Sequence, residues 1–133
     1  MFPHGHPPAL AISQRDVDTL CGILNGVRKD VAGFLANEIG RAQRVGGARW
    51  MLDHVTLESW ILYRLGSGKL RFHKLTSGPA EPTSSVSVTT PVGAALIGMR
   101  QDQSIEWRTH DGAIERVTVL VILPPPSLRR MIR

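Results

Sequence analysis

The side chains that could do chemistry in this 133-residue chain are few and scattered. There is one thiol, Cys21, and there are five histidines, at positions 4, 6, 54, 73 and 110. A catalytic nucleophile needs an activating base held beside it, and Cys21 has no histidine at a helical spacing. It falls among Val17, Leu20 and Leu24, which recur at the 3.6-residue period, so it reads as a buried core thiol. The Gly-x-Ser-x-Gly elbow of a serine hydrolase does not occur. His4 and His6 are a pair without further ligands, and His54, His73 and His110 fall on strands or turns, where solvated imidazoles are expected. Gly66-Ser67-Gly68-Lys69 lacks the length and the following hydroxyl residue of a phosphate-binding loop, and it reads as a hairpin turn. These patterns predict no catalytic residue, no metal site and no cofactor, hence not an enzyme.

What remains is surface built for docking. In Val86-Ser87-Val88-Thr89 the apolar and polar residues alternate, as on a short half-buried strand. Thr90 can cap a helix, and Pro91 suits its first turn, where a missing N–H costs nothing. Ala94 to Ile97 supply about one and a half turns, which Gly98 can end. Thr89, Thr90, Pro91, Val92 and Gly93 therefore form a rigid corner where a partner could bind. A second candidate is Trp60 with Leu62. On a strand they share the face opposite Ser59, Ile61 and Tyr63, and a large exposed apolar pair marks an interface unless the helices cover it.

The elements around these residues follow from periodicity. Ser13 is a cap with Asp16 in the first turn. Val17, Leu20, Cys21 and Leu24 make one apolar stripe, and Val31, Phe34, Leu35 and Ile39 make another. Asn25-Gly26 can turn the chain between them, and Gly46-Gly47 closes the region. Strands are expected over Val55 to Arg64, Lys69 to Leu75 (Leu70 and Phe72 inward, Arg71 and His73 outward), Val86 to Thr89, Ser104 to Arg108, and Ala113 to Leu123. Asp111-Gly112 is a hairpin turn. The last strand is apolar on both faces, as if covered on both, and Pro124-Pro125-Pro126 ends it. The class is α+β: a short helical hairpin, then an antiparallel sheet of about five strands with one short helix. Residues 1–12 read as a disordered tail, 13–47 as the hairpin, 48–124 as the sheet domain and 125–133 as a basic tail.

Composition narrows the partners. The net charge is +5, which suits a polyanion, either nucleic acid or an acidic protein surface, or else serves solubility. The 16 Lys and Arg are dispersed rather than clustered, so any nucleic-acid contact is expected to be weak. A single cysteine allows no internal disulfide and suits a reducing, cytoplasmic setting. No stretch of 18 apolar residues is present, so no membrane helix is expected. The polar, proline-rich start does not read as a signal peptide.

The segment Pro91-Val92-Gly93-Ala94-Ala95-Leu96-Ile97-Gly98, followed by Ser104-Ile105-Glu106-Trp107, resembles the C-terminal domain shared by the bacterial transcription factors GreA and GreB and by Rnk, the regulator of nucleoside diphosphate kinase. The likeness spans roughly residues 14–123 and is greatest to the Rnk-like branch. It departs at the turn Gln101-Asp102-Gln103, where the family has Val-Gly-Asp, and at Thr89, where GreB-like members carry an acid. The resemblance implies an FKBP-like topology for 48–124. It implies docking on the secondary-channel rim of RNA polymerase through Thr89-Thr90-Pro91. GreA and GreB present two tip carboxylates on a long coiled coil, which help hold the Mg²⁺ that activates water for transcript cleavage. Here Arg28-Lys29-Asp30 lies at the tip of a short hairpin, as in Rnk. The resemblance therefore implies a non-enzymatic polymerase-binding factor that modulates elongation without cleavage. A small basic nucleic-acid-binding domain and a homo-oligomeric interaction protein are the alternatives; oligomeric state is left open.

Overall fold

A computed structural model describes residues 10–27, 29–45, 53–81, 83–109 and 111–125. The chain runs β1 (Ala11–Ser13), α1 (Gln14–Ile23), a 3₁₀ turn (Leu24–Gly26), α2 (Lys29–Arg41), β2 (Gln43–Val45), β3 (Trp60–Leu65), β4 (Leu70–Thr76), β5 (Ser85–Ser87), α3 (Pro91–Leu96), β6 (Ser104–Arg108) and β7 (Ile114–Leu123). Residues 1–9, Arg28, Gly46-Gly47, His110 and the basic tail from 126 onward lie outside the described residues.

The hairpin forms as its caps and stripes require. The Ser13 hydroxyl accepts the Asp16 N–H at 3.2 Å and starts α1. Val17 and Leu20 bury one stripe, and Val31, Leu35 and Ile39 the other. Cys21 corrects the reading of a core thiol: it is exposed. The buried face of α1 carries Ser13, Asp16, Val17 and Leu20, which places Cys21 at its edge. In α2 the fully buried Glu38 binds Arg41 through both carboxylate oxygens, at 2.9 and 3.0 Å. Burial raises its pKa against the opposing pull of Arg41.

The sheet order is β5-β4-β3-β7-β6. All pairs are antiparallel except β4–β5, which is parallel, because the chain loops back over 77–84 before β5 begins. The inner face carries Ile61, Tyr63, Leu75, Ile105, Trp107, Val117 and Val119, which join Ala94, Ala95 and Leu96 of α3 and the hairpin stripes in one core. Three strand readings are corrected. β3 starts at Trp60 rather than Val55, because Glu58 takes a positive φ of 75° and turns the chain just before it. Leu70 and Phe72 face outward, at 50% and 46% exposure. The pairing of Leu62 with Phe72 and of Ile61 with His73 decides that phase. The last strand is covered on one face, and Val121 and Leu123 are 40% and 44% exposed on the other.

The tail boundary also moves. Leu10, Ala11 and Ile12 are buried. β1 pairs in parallel with β2, and the Ala11 N–H donates to the Gly98 carbonyl at 3.0 Å. This ribbon lies against the end of α3. Gly98 has φ 81°, and an added Cβ there would stand 2.9 Å from Ile12 Cγ1. The glycine that ends α3 thus also admits β1.

Candidate functional site

The corner between β5 and α3 is fastened from within. The Thr90 hydroxyl donates to the Ser87 carbonyl at 2.6 Å and accepts the Gly93 N–H at 3.2 Å. The Thr90 N–H donates to the same Ser87 carbonyl at 3.1 Å. Thr89 is half-buried, with its hydroxyl 2.7 Å from that of Ser87 and its N–H donating to Ser87 Oγ at 3.1 Å. Gly93 is required: a Cβ there would stand 1.9 Å from the Ser87 carbonyl oxygen. Val92 packs against the core, and Pro91 at N1 projects into solvent. Of the five corner residues the sequence singled out, Pro91 offers the free surface. Both threonine hydroxyls are engaged inside the corner.

Behind Pro91 lies a groove of about 820 Å³ between α2, α3 and the β6–β7 hairpin. Its walls include Phe34, Ala36, Ala94, Trp107 and Ala113. Phe34 and Trp107 tilt against each other with ring centroids 6.3 Å apart. The Trp107 indole N–H is buried and has no hydrogen-bond partner among the described residues, a cost of about 1–3 kcal/mol. Sequence reading missed this groove, because it needs α2 and the β6–β7 hairpin side by side. Sequence reading placed Phe34 in the apolar stripe of its helix, and its aromatic ring there was the available signal.

The other groups stay apart. His54 is buried rather than solvated. His73 is half-buried and its Nδ1 lies 2.8 Å from the Tyr63 hydroxyl. Burial and the nearby Arg71 hold its pKa below the usual histidine value. The buried Asp16 accepts the Leu57 N–H at 3.1 Å, tying the hairpin to the sheet domain. Burial raises its pKa, and the Leu57 bond opposes the rise. Among the described residues no three His, Cys, Asp or Glu side chains gather into a metal site. No described helix is long and apolar enough to cross a membrane.

Trp60 and Leu62 lie on the outer face of the sheet, opposite Ile61 and Tyr63, as their alternation predicts. Trp60 stacks on Phe72 with centroids 5.1 Å apart and planes at 21°. The helices do not cover this pair, since all three join the core on the inner face.

A short hairpin, a five-stranded sheet and a proline-started helix on the sheet's inner face define a class: the Gre-factor fold. A prokaryotic transcription elongation factor GreA/GreB from Nitrosomonas europaea has this fold with a TM-score of 0.66 and 26% sequence identity, over 87% of this chain and 98% of that one. The regulator of nucleoside diphosphate kinase of Escherichia coli is 37% identical over 101 residues, 73% of this chain and 74% of that protein. The protein of the same description from Shigella flexneri matches to the same extent. No protein-family model matches the chain. At this identity and coverage the chain belongs to the Rnk branch of the Gre/Rnk family of regulators.

Proposed function

We propose that this protein is a cytoplasmic RNA polymerase-binding factor that modulates transcription elongation without cleaving the transcript. The observation that carries the reading is the Pro91 corner: an exposed pyrrolidine on a helix start braced by Thr90 and Gly93, in a chain of the Gre/Rnk family. Preformed rigidity lowers the ordering cost of binding. In this reading the corner meets an apolar patch on the secondary-channel rim. The Thr90 hydroxyl, committed to Ser87 and Gly93, serves as a brace rather than a contact. Thr89 brings no charge where GreB-like members carry an acid, so the contact is made by shape.

The hairpin supports the absence of cleavage. α1 has 10 residues and α2 has 13, about 15 and 20 Å at 1.5 Å per residue. Asp30 is the one carboxylate among the described residues 24–30, too few for a two-carboxylate Mg²⁺ site. Two experiments test the reading. Stalled elongation complexes given this protein should keep full-length transcripts, and Mg²⁺-dependent shortening would refute the proposal. On purified core polymerase, Pro91→Ala and Thr89→Arg should bind at least several-fold more weakly than wild type while melting as folded proteins. Unchanged affinity in both would move the contact off this corner.

A further inference from the structure

An antiparallel sheet with one face on the core and one in water alternates apolar and polar residues. This sheet breaks the rule over half of its outer face. Trp60 and Leu62 on β3, Leu70 and Phe72 on β4, and Val121 and Leu123 on β7 form one continuous apolar surface across three neighbouring strands. The pairing places Phe72, Leu62 and Val121 in one row and Trp60 beside Leu123 in the next. Four of the six are 40–50% exposed. The other half of the face is mostly polar: Arg64, Ser104, Thr118, Glu106, Arg116 and Arg108, with Ile114 at its far end and the Ser104 and Thr118 hydroxyls 2.8 Å apart.

We propose that this face pairs with the same face of a second copy, giving a symmetric dimer of two sheets packed face to face. Area supports it. Together the four exposed side chains and the half-buried Trp60 and Leu62 present on the order of 400 Å², at the scale of the largest patches that monomers leave in water. A standard interface buries roughly 800 Å² per partner, so the polar residues around the patch supply the rest of the contact. Charge supports it too. The chain carries +5, and on and around this face Arg64, Lys74, Arg108 and Arg116 are partly offset by Glu58 and Glu106. Lys74 pairs with Glu58 at 3.1 Å, and Arg116 stands 4.0 Å from Glu106. A polyanion gains little on such a face, whereas a second copy meets no block of like charge. Shape completes the case. Two sheets of equal right-handed twist stack about 10 Å apart with their strands near −30°, and an identical sheet has the matching twist by construction. The partner is therefore a second copy of this chain, and the interface is isologous, with Phe72 and Trp60 near its centre.

Sedimentation of the full chain across a dilution series, from near-millimolar to low micromolar, tests this. The wild type should approach twice the 14.6 kDa chain mass at the upper end and dissociate on dilution. Phe72→Glu and Val121→Lys, both on half-exposed side chains, should each weaken the dimer at least tenfold while keeping the wild-type circular dichroism. If one of them fails to fold, the other still decides. Thr19→Glu, an exposed change on α1, should leave the dimer intact. A wild type that is monomeric at every concentration overturns the proposal, as does a dimer that survives both folded variants. A monomer whose affinity for core polymerase drops with Phe72→Glu also overturns it and assigns the face to polymerase.

Discussion

Asp102 shows how one residue can depart from its family without breaking the fold. The resemblance puts a glycine at this position, and the structure shows why: φ is +69°. Side chains other than glycine pay about 1–2 kcal/mol in that region, and Asp and Asn tolerate it best. The turn holds because the Asp102 N–H donates to the Val119 carbonyl at 2.7 Å and the Gln103 side chain accepts the Arg100 N–H at 2.9 Å. Asp102→Gly should therefore stabilise the protein by about 0.5–1 kcal/mol, the strain relieved less the added freedom of the unfolded chain. Urea unfolding measures it, and a loss of stability would mean that the aspartate side chain does more than tolerate the turn. Gly93 is the contrasting case. Its backbone angle is ordinary, but the Ser87 carbonyl leaves no space for a Cβ.

At the scale of elements, the hairpin's energy is concentrated where the two stripes face the sheet. Leu20 and Leu35 are fully buried, whereas Leu24, which opens the 3₁₀ turn at the tip, is partly exposed. Leu20→Ala should cost about 2–4 kcal/mol through the lost contacts and the cavity left behind. Leu24→Ala should cost less than half of that, because water already reaches the site. Parallel thermal melts of the two variants decide the matter; equal losses would mean that the tip is as tightly packed as the base. Periodicity placed Leu20 and Leu24 on one apolar stripe and Leu35 on the other but could not rank their burial. That ranking depends on what lies above each turn: the sheet domain over Leu20, solvent near Leu24.

The whole molecule is held together at a junction that local sequence does not announce. Strand β1 stands beside α3 through the bond from the Ala11 N–H to the Gly98 carbonyl, and Gly98 in turn donates to the Val55 carbonyl at 2.9 Å. Asp16 adds its bond to the Leu57 N–H. Through these contacts the hairpin and the sheet domain share one core. Gly98→Ala combines a strained φ with a Cβ driven against Ile12. It should lower stability by about 2 kcal/mol or more and raise amide exchange in residues 11–13 and 43–45 above that of the central strands. Exchange that rises equally throughout would mean that the junction has no stability of its own and opens only with the global core.

The sequence by itself determined the α+β class, both hairpin helices and the Ser13 cap of the first, the Thr90-Pro91 start and Gly98 end of α3, the Asp111-Gly112 turn, and the family. These depend on spacing, caps and turn chemistry acting over a few residues, and Pro91-Val92-Gly93 carries its geometry in its own dihedral and steric limits. Only the tertiary structure decided which way Leu70 and Phe72 face, that Cys21 is exposed and His54 buried, that residues 10–12 join the core, and that a groove opens between Phe34 and Trp107. Each of those depends on register or on elements distant in sequence. A strand of apolar residues satisfies either phase until Leu62 is paired with Phe72, and a tripeptide such as Leu10-Ala11-Ile12 gains its burial only when Gly98 is there to receive it.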